Sequence, residues 1–339
     1  MATLFLFFVI PIHNVLAQEQ LDGWETLESM PTARTEVVAV AVGEKIYVVG
    51  GFDKQGRAVD IVEVFDTANN SWTTVAPMPE RLHHVGAAHH EGKLYVVGGY
   101  KDGWIATNSL LIYDTTADQW RKGKEMPTAR GALTVQFIDH TLYAVGGADN
   151  IVYSFNEAYD HVSDTWQKRS SMPTPREHLA SAVIDEKMYV IGGRQGSLSS
   201  NLGSNEVYDP ALDSWSSLEP LPTPRGGLTA SVLNGTIFVF GGESTFGTFK
   251  ENEQYVPQQG WFTQLPMPTS RHGLGSVAVG DKIYVIGGGL EPGLSVSAVN
   301  EAYYNYNVIP EFPVALLTFM AAIIPIVIFS RKISLRNQN

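Results

Sequence analysis

The chain has 339 residues, a formal net charge of −12 and no cysteine. Without thiols it holds no disulfide framework, zinc–thiolate site or cysteine nucleophile. Its acidity argues against bulk binding to nucleic acid or anionic lipid, and its length alone would allow two domains.

From the N-terminus, residues 2–17 are mostly apolar and end Val15-Leu16-Ala17-Gln18, with small residues where a signal peptidase reads. A membrane span needs about 20 apolar residues, and Pro11, His13 and Asn14 interrupt this stretch. Residues 1–17 are therefore expected to be a secretory signal, although a charged n-region is lacking. A buried N-terminal strand is the alternative.

Residues 18–306 follow one beat. Tryptophans fall at Trp24, Trp72, Trp120, Trp166, Trp215 and Trp261, at spacings of 48, 48, 46, 49 and 46, and only Trp104 is out of phase. Gly-Gly pairs keep the same period: Gly50-Gly51, Gly98-Gly99, Gly146-Gly147, Gly192-Gly193, Gly241-Gly242 and Gly287-Gly288. One supersecondary unit is thus copied six times, and the copies must bury one another's apolar faces. In the first copy Glu36 to Val42 reads as a strand, Gly43-Glu44 as a tight turn and Lys45 to Val49 as a second strand. A variable loop leads to a third strand, Ile61 to Phe65, and a turn leads to a fourth beginning at Trp72. Helical periodicity is absent. Repeats of roughly 40–50 residues with four strands each predict an all-β propeller.

These residues resemble the Kelch repeat: Tyr47-Val-Val-Gly-Gly51, Glu63-Val-Phe-Asp66, Trp72 and Met78-Pro79, with further copies at Glu157-Ala-Tyr-Asp160 and Glu206-Val-Tyr-Asp209. The resemblance covers about residues 21–304 and implies a six-bladed Kelch-type β-propeller. Two copies depart from the pattern: Leu111 stands where Glu is expected, and the fifth copy reaches Trp261 one residue early with Val256 in place of Asp. The sixth copy reaches Glu301-Ala-Tyr303 but no tryptophan, whereas the chain begins with an orphan Trp24 followed by Met30-Pro31. The N-terminal strand is therefore expected to complete blade six and close the ring, which also removes open sheet edges.

Beyond a linker at 307–313, Phe312 to Phe329 carries no charge and Arg331, Lys332 and Arg336 follow. A transmembrane helix at 314–330 and a basic cytoplasmic tail at 331–339 are expected, with the propeller outside. A core helix is the alternative. Pro310-Glu311-Phe312-Pro313 followed by an apolar stretch and basic residues is similar to PEF-type sorting signals of archaeal surface proteins, which would imply that the helix is cleaved.

Antiparallel order puts the second-to-third and last-to-first connections on one side of the disc. The variable loops Phe52 to Asp60, Tyr100 to Asn108, Arg194 to Asn205, Glu243 to Glu251 and Leu290 to Asn300 share that side, where binding is expected. Arg34, Arg81, Arg130, Arg176, Arg225 and Arg271 follow each Pro toward the innermost strand, six of the twelve arginines in one phase. Directed inward they would form a cationic collar suited to carboxylates and phosphates, and resemblance to Kelch substrate adaptors implies contact with acidic peptides there. Alternatively they pair within blades with Glu63, Glu157, Glu206, Glu253 and Glu301. His83 and His178 lie two residues past an arginine, a phase that Glu36 shares, so a metal site is conceivable and satisfied or solvated histidines are the alternative. Trp104 either packs down or meets a ligand.

Kelch copper oxidases need a cysteine, so their chemistry is excluded, and no catalytic residues, metal or cofactor are assigned. The leading expectation is an exported, membrane-anchored module that binds an extracellular protein or surface glycan, acidic ones included, through the long-loop face. The runner-up is a carbohydrate-active enzyme resembling six-bladed Kelch mutarotases of sialic acid, with Glu36, Glu177 and Glu243 as acid/base candidates.

Overall fold

A computed structural model describes residues 23–305. The expected signal, linker, membrane helix and basic tail lie outside the described residues. Among the described residues no helix is long and apolar enough to cross a membrane. The unit Gly23–Tyr304 is an all-β ring of six four-stranded antiparallel sheets. Blade one is formed by Val38–Val42, Lys45–Val49, Val62–Asp66 and Ser71–Thr74, and the later blades repeat this order from the axis outward. Gly23–Thr26 is the outer strand of blade six, pairing with Asn300–Tyr304 so that Trp24 lies opposite Tyr303. The ring thus closes as the missing sixth tryptophan predicts.

The core lies between blades rather than within one. Tyr47 and Val49 of blade one pack with Leu94 and Val96 of blade two, while Ile46 and Val48 face blade six and pack with Tyr284 and Ile286. Beyond its first residue, a Lys or Thr, each second strand is covered on both faces, which is why the remaining four residues are apolar and why a one-residue slip would misplace every side chain. The tryptophans close the seams. Each indole packs on the aromatic residue opposite it in the third strand, as Trp120 on Tyr113 with ring centroids 4.9 Å apart. Its N–H then donates to a carbonyl of the preceding blade, as Trp120 Nε1 to Ala76 O at 2.9 Å and Trp215 Nε1 to Ser170 O at 2.7 Å.

The Gly-Gly pair has a similar cause. Gly99 N donates to Arg130 O of the next blade at 3.0 Å, and a Cβ on Gly98 would lie 2.4 Å from that same oxygen. With φ of 63° and 93°, both positions also favour glycine.

Five of the six phased arginines sit inside the blades, not at the mouth. Arg34, Arg130, Arg176, Arg225 and Arg271 are fully buried. Each pairs with the third-strand glutamate of its blade, for example Arg34 with Glu63 at 2.8 Å and Arg271 with Glu301 at 2.7 Å. Arg130–Glu157, Arg176–Glu206 and Arg225–Glu253 repeat the pair. A threonine from the Pro turn anchors the second carboxylate oxygen, as Thr174 Oγ1 to Glu206 Oε1 at 2.6 Å. The guanidinium also takes strand carbonyls: Arg130 donates to Gly146 O at 2.9 Å and to Ala144 O at 3.0 Å. The expected cationic collar is therefore corrected for these five residues, because a buried guanidinium needs a counter-charge and the opposing carboxylate supplies it.

Blade two departs from the pattern. Counted from Met78, the arginine position is Leu82, buried with Leu111 in the apolar cluster between blades one and two. Gly51 N accordingly donates to Leu82 O, as Gly99 N does to Arg130 O. Arg81 is displaced outward, its side chain 66% exposed and 3.8 Å from Asp60. One ion pair has thus been exchanged for two leucines.

That exchange makes the pair testable. Arg130→Leu, which leaves Glu157 buried and unpaired, is expected to cost about 3–5 kcal/mol. Adding Glu157→Leu should return most of it, as measured by urea denaturation of both single variants and the double. A double variant no more stable than the worse single would show that the Leu82–Leu111 solution does not transfer between blades.

Candidate functional site

On the long-loop side each blade sends one residue with positive φ toward the axis: Glu36, His84, Ala132, His178, Gly227 and Gly273, with φ between 52° and 68°. Their backbones form a closed hydrogen-bonded ring. His84 N donates to Glu36 O at 3.3 Å, Ala132 N to His84 O at 2.9 Å and His178 N to Ala132 O at 3.0 Å. Gly227 and Gly273 continue it, and Val37 N completes the circuit to Gly273 O at 3.2 Å. The positive φ costs free energy at Glu36, Ala132 and the two histidines, and the interblade bonds hold it. A cavity of ≈ 150 Å³ lies against this ring, lined in part by Glu36, His84 and His178.

The phase argument was correct for Glu36 and His178 but one residue off in blade two. Because Leu82 is the arginine position, His84 and not His83 occupies the ring. His84 Nε2 lies 3.2 Å from Glu36 Oε2 and 2.9 Å from His178 Nε2. His83 is fully buried, stacked on Phe52 with centroids 3.8 Å apart and flanked by Tyr100 at 5.4 Å. Its Nδ1 meets His84 Nδ1 at 2.6 Å, so it supports the neighbouring imidazole from below.

A second circle comes from the residue after each Gly-Gly: Phe52, Tyr100, Ala148, Arg194, Glu243 and Gly289, each bridged to the residue before the ring position. Arg194 is a residue of the candidate site that the sequence phase of the arginines did not reveal, although its place directly after Gly192-Gly193 marks it. It donates Nε to Glu177 Oε1 at 3.0 Å, Nη1 to Glu243 Oε1 at 2.7 Å and Nη2 to His178 Nε2 at 2.9 Å. A guanidinium only donates. His178 Nε2 therefore presents its lone pair, and the ring proton sits on Nδ1, facing Glu177 Oε2. Glu243 Oε2 accepts from Gly293 N at 2.9 Å, and His272 Nε2 lies 3.6 Å from it and 3.7 Å from Glu36 Oε1.

Burial, aided by Glu243 and opposed by Arg194, pushes the Glu36 carboxyl up to about 8. Burial also holds His84 and His178 well below the ordinary imidazole range; His83 adds to this at His84, and Arg194 at His178. At neutral pH the centre is therefore a protonated Glu36 beside neutral imidazoles, next to an Arg194 clamped between two carboxylates. Such a group can exchange a proton near neutrality. Glu36, His84 and His178 also bring three potential ligand atoms within 4.8 Å. Arg194 already takes the His178 lone pair that a cation in this group would need, and Glu36, Glu243 and His272 form a second such group beside it.

Around this polar centre the loop tips are apolar. Trp104 both packs down, 5.0 Å from the His83 ring and 5.2 Å from His84, and remains 54% exposed. Ile105, Ile151, Phe246 and Leu294 are more exposed still, with Phe246 at 98%. Six sheets, the Gly-Gly corner and the indole seams define a Kelch-type six-bladed β-propeller. The Attractin/LZTR1 beta-propeller family model matches residues 46–288, well over half of the chain, and the chain belongs to that family. No curated protein matches it in sequence.

The Glu36 environment has a consequence for stability. In the native state Glu36 keeps its proton up to about pH 8, whereas an ordinary glutamate releases it near 4.5. Between those values the native state binds more protons than the unfolded one, so this group's contribution falls as pH rises. Glu36→Gln should remove that fall. Urea denaturation from pH 5 to 8.5 is expected to show the variant gaining on the wild type as pH increases, and a constant difference would refute the assignment.

Proposed function

We propose that this propeller is an interaction module, exported and anchored at the cell surface, that binds an extracellular protein or surface glycan with its long-loop face. The observation that carries the reading is the ring of exposed apolar tips, Trp104, Ile105, Ile151, Phe246 and Leu294, around a recessed Glu–His–Arg centre. Exposed aromatics around a polar recess are the usual material of binding hot spots. Family membership supports the same reading, since Kelch-type propellers are generally protein-interaction modules. The apolar segment and basic residues after Pro313 supply the anchor in this proposal. Of the phased arginines, only Arg81 retains a role open to a partner.

Binding of the full chain to isolated cell-surface proteins and glycans should fall at least about tenfold in Trp104→Ala/Phe246→Ala, the loss of roughly 1.4 kcal/mol or more. Circular dichroism should show the ring still folded. Equal retention by wild type and variant would remove the long-loop face from the proposal.

One observation favours the enzymatic reading: Glu36, Glu177 and Glu243, the three acid/base candidates, all surround Arg194. Acting on an acidic sugar, Arg194 would meet the carboxylate while Glu36 gives its proton to the ring oxygen as the anomeric carbon–oxygen bond breaks and the neighbouring His84 takes the proton of the anomeric hydroxyl; closure on the other carbonyl face returns both protons. The assay is anomer exchange of sialic acid followed by NMR. Acceleration that disappears in Glu36→Gln would establish it, and an unaccelerated rate would exclude this substrate.

A further inference from the structure

Three histidines meet on the opposite, short-turn face of the disc, far from any role in the mouth. His90 ends the inner strand Gly86–His90 of blade two and Glu91 begins its turn, while His140 lies in the first turn of blade three and His161 in the turn after Asn156–Asp160. Their ligand atoms all lie within 4.8 Å of one another. We propose that His90, His140, His161 and Glu91 bind one divalent transition-metal ion across the seam between blades two and three.

The distances fit. His140 Nδ1 and His90 Nε2 are 3.3 Å apart, which is about the separation of two nitrogens each ~2.0–2.1 Å from one tetrahedral zinc ion. Glu91 places Oε1 3.8 Å from His90 Nε2 and Oε2 3.8 Å from His161 Nε2, so its carboxylate straddles the remaining vertex. Its side chain is 61% exposed and has room to close by the remaining few tenths of an ångström.

The imidazoles are also prepared as ligands. His161 Nδ1 faces His140 O at 3.0 Å. A carbonyl only accepts, so the proton is on Nδ1 and the Nε2 lone pair points at the cluster. Backing of one ring nitrogen by a carbonyl is how metal-binding histidines are usually oriented. Phe137 stacks on the His90 ring at 4.5 Å with an interplanar angle of 17°, fixing its plane. Three nitrogens and one carboxylate suit zinc and its neighbours in the first transition row, and suit calcium or magnesium poorly.

The test is calorimetric titration of the full chain with zinc ion alone, followed by cobalt absorption to read the geometry. One ion per chain with a tetrahedral cobalt spectrum is expected, together with a rise in thermal midpoint. Affinity should fall at least about tenfold in His140→Ala or His161→Ala. Both substitutions lie in surface turns, and circular dichroism checks that the ring remains folded. Absence of zinc binding at micromolar concentration overturns the proposal. So does binding that survives His140→Ala/His161→Ala but is lost in His84→Ala, which would assign the ion to the mouth.

Discussion

The structure depends on the pairing of Gly23–Thr26 with Asn300–Tyr304. Each blade buries its apolar faces only against its neighbours, so a gap anywhere would expose two of them and leave an unpaired edge. The borrowed strand closes that gap with backbone bonds and carries Trp24 onto Tyr303, at a centroid distance of 5.1 Å. Since Trp24 Nε1 also reaches Leu265 O of blade five at 3.1 Å, the first residues of the ring bind its last two blades together.

On this near-symmetric frame the mouth is deliberately unequal. Equivalent ring positions hold Glu36, His84, Ala132 and His178 in succession on one arc and Gly227 and Gly273 on the other. The backbone demands of the position, a positive φ and a bond to the next blade, are the same for all six. Glycine satisfies them without strain, whereas Glu36 and the two histidines do so at a cost. Ala132 bears the same cost, but at Glu36 the strain coincides with a perturbed protonation.

The ring, the face carrying the loops and the terminal clasp could be read from the chain because periodicity reports on repeated packing. The mouth was harder for the same reason. A residue recurring in every blade reports what each blade needs, and Arg34 and its four buried counterparts serve the corner rather than a ligand. The candidate site consists of residues that break the repeat, and they were partly obscured by Arg81. Counting from the arginine put His83 in register, whereas counting from Met78 gives Leu82 and therefore His84. Leu111 was visible as an anomaly, and its meaning required seeing that Leu82 is its partner. Arg194 looked like the start of a variable loop, and only the bridges made by each residue after Gly-Gly show that this position faces the axis.

The lone out-of-phase tryptophan also makes the mouth observable. Six indoles donate to carbonyls in the seams and report the integrity of the wheel. Trp104 alone stands half in solvent above the histidine pair. Its emission is therefore the one most open to collisional quenchers, and it is the one that an arriving molecule would shield, so occupancy of the loop face carries its own intrinsic optical label.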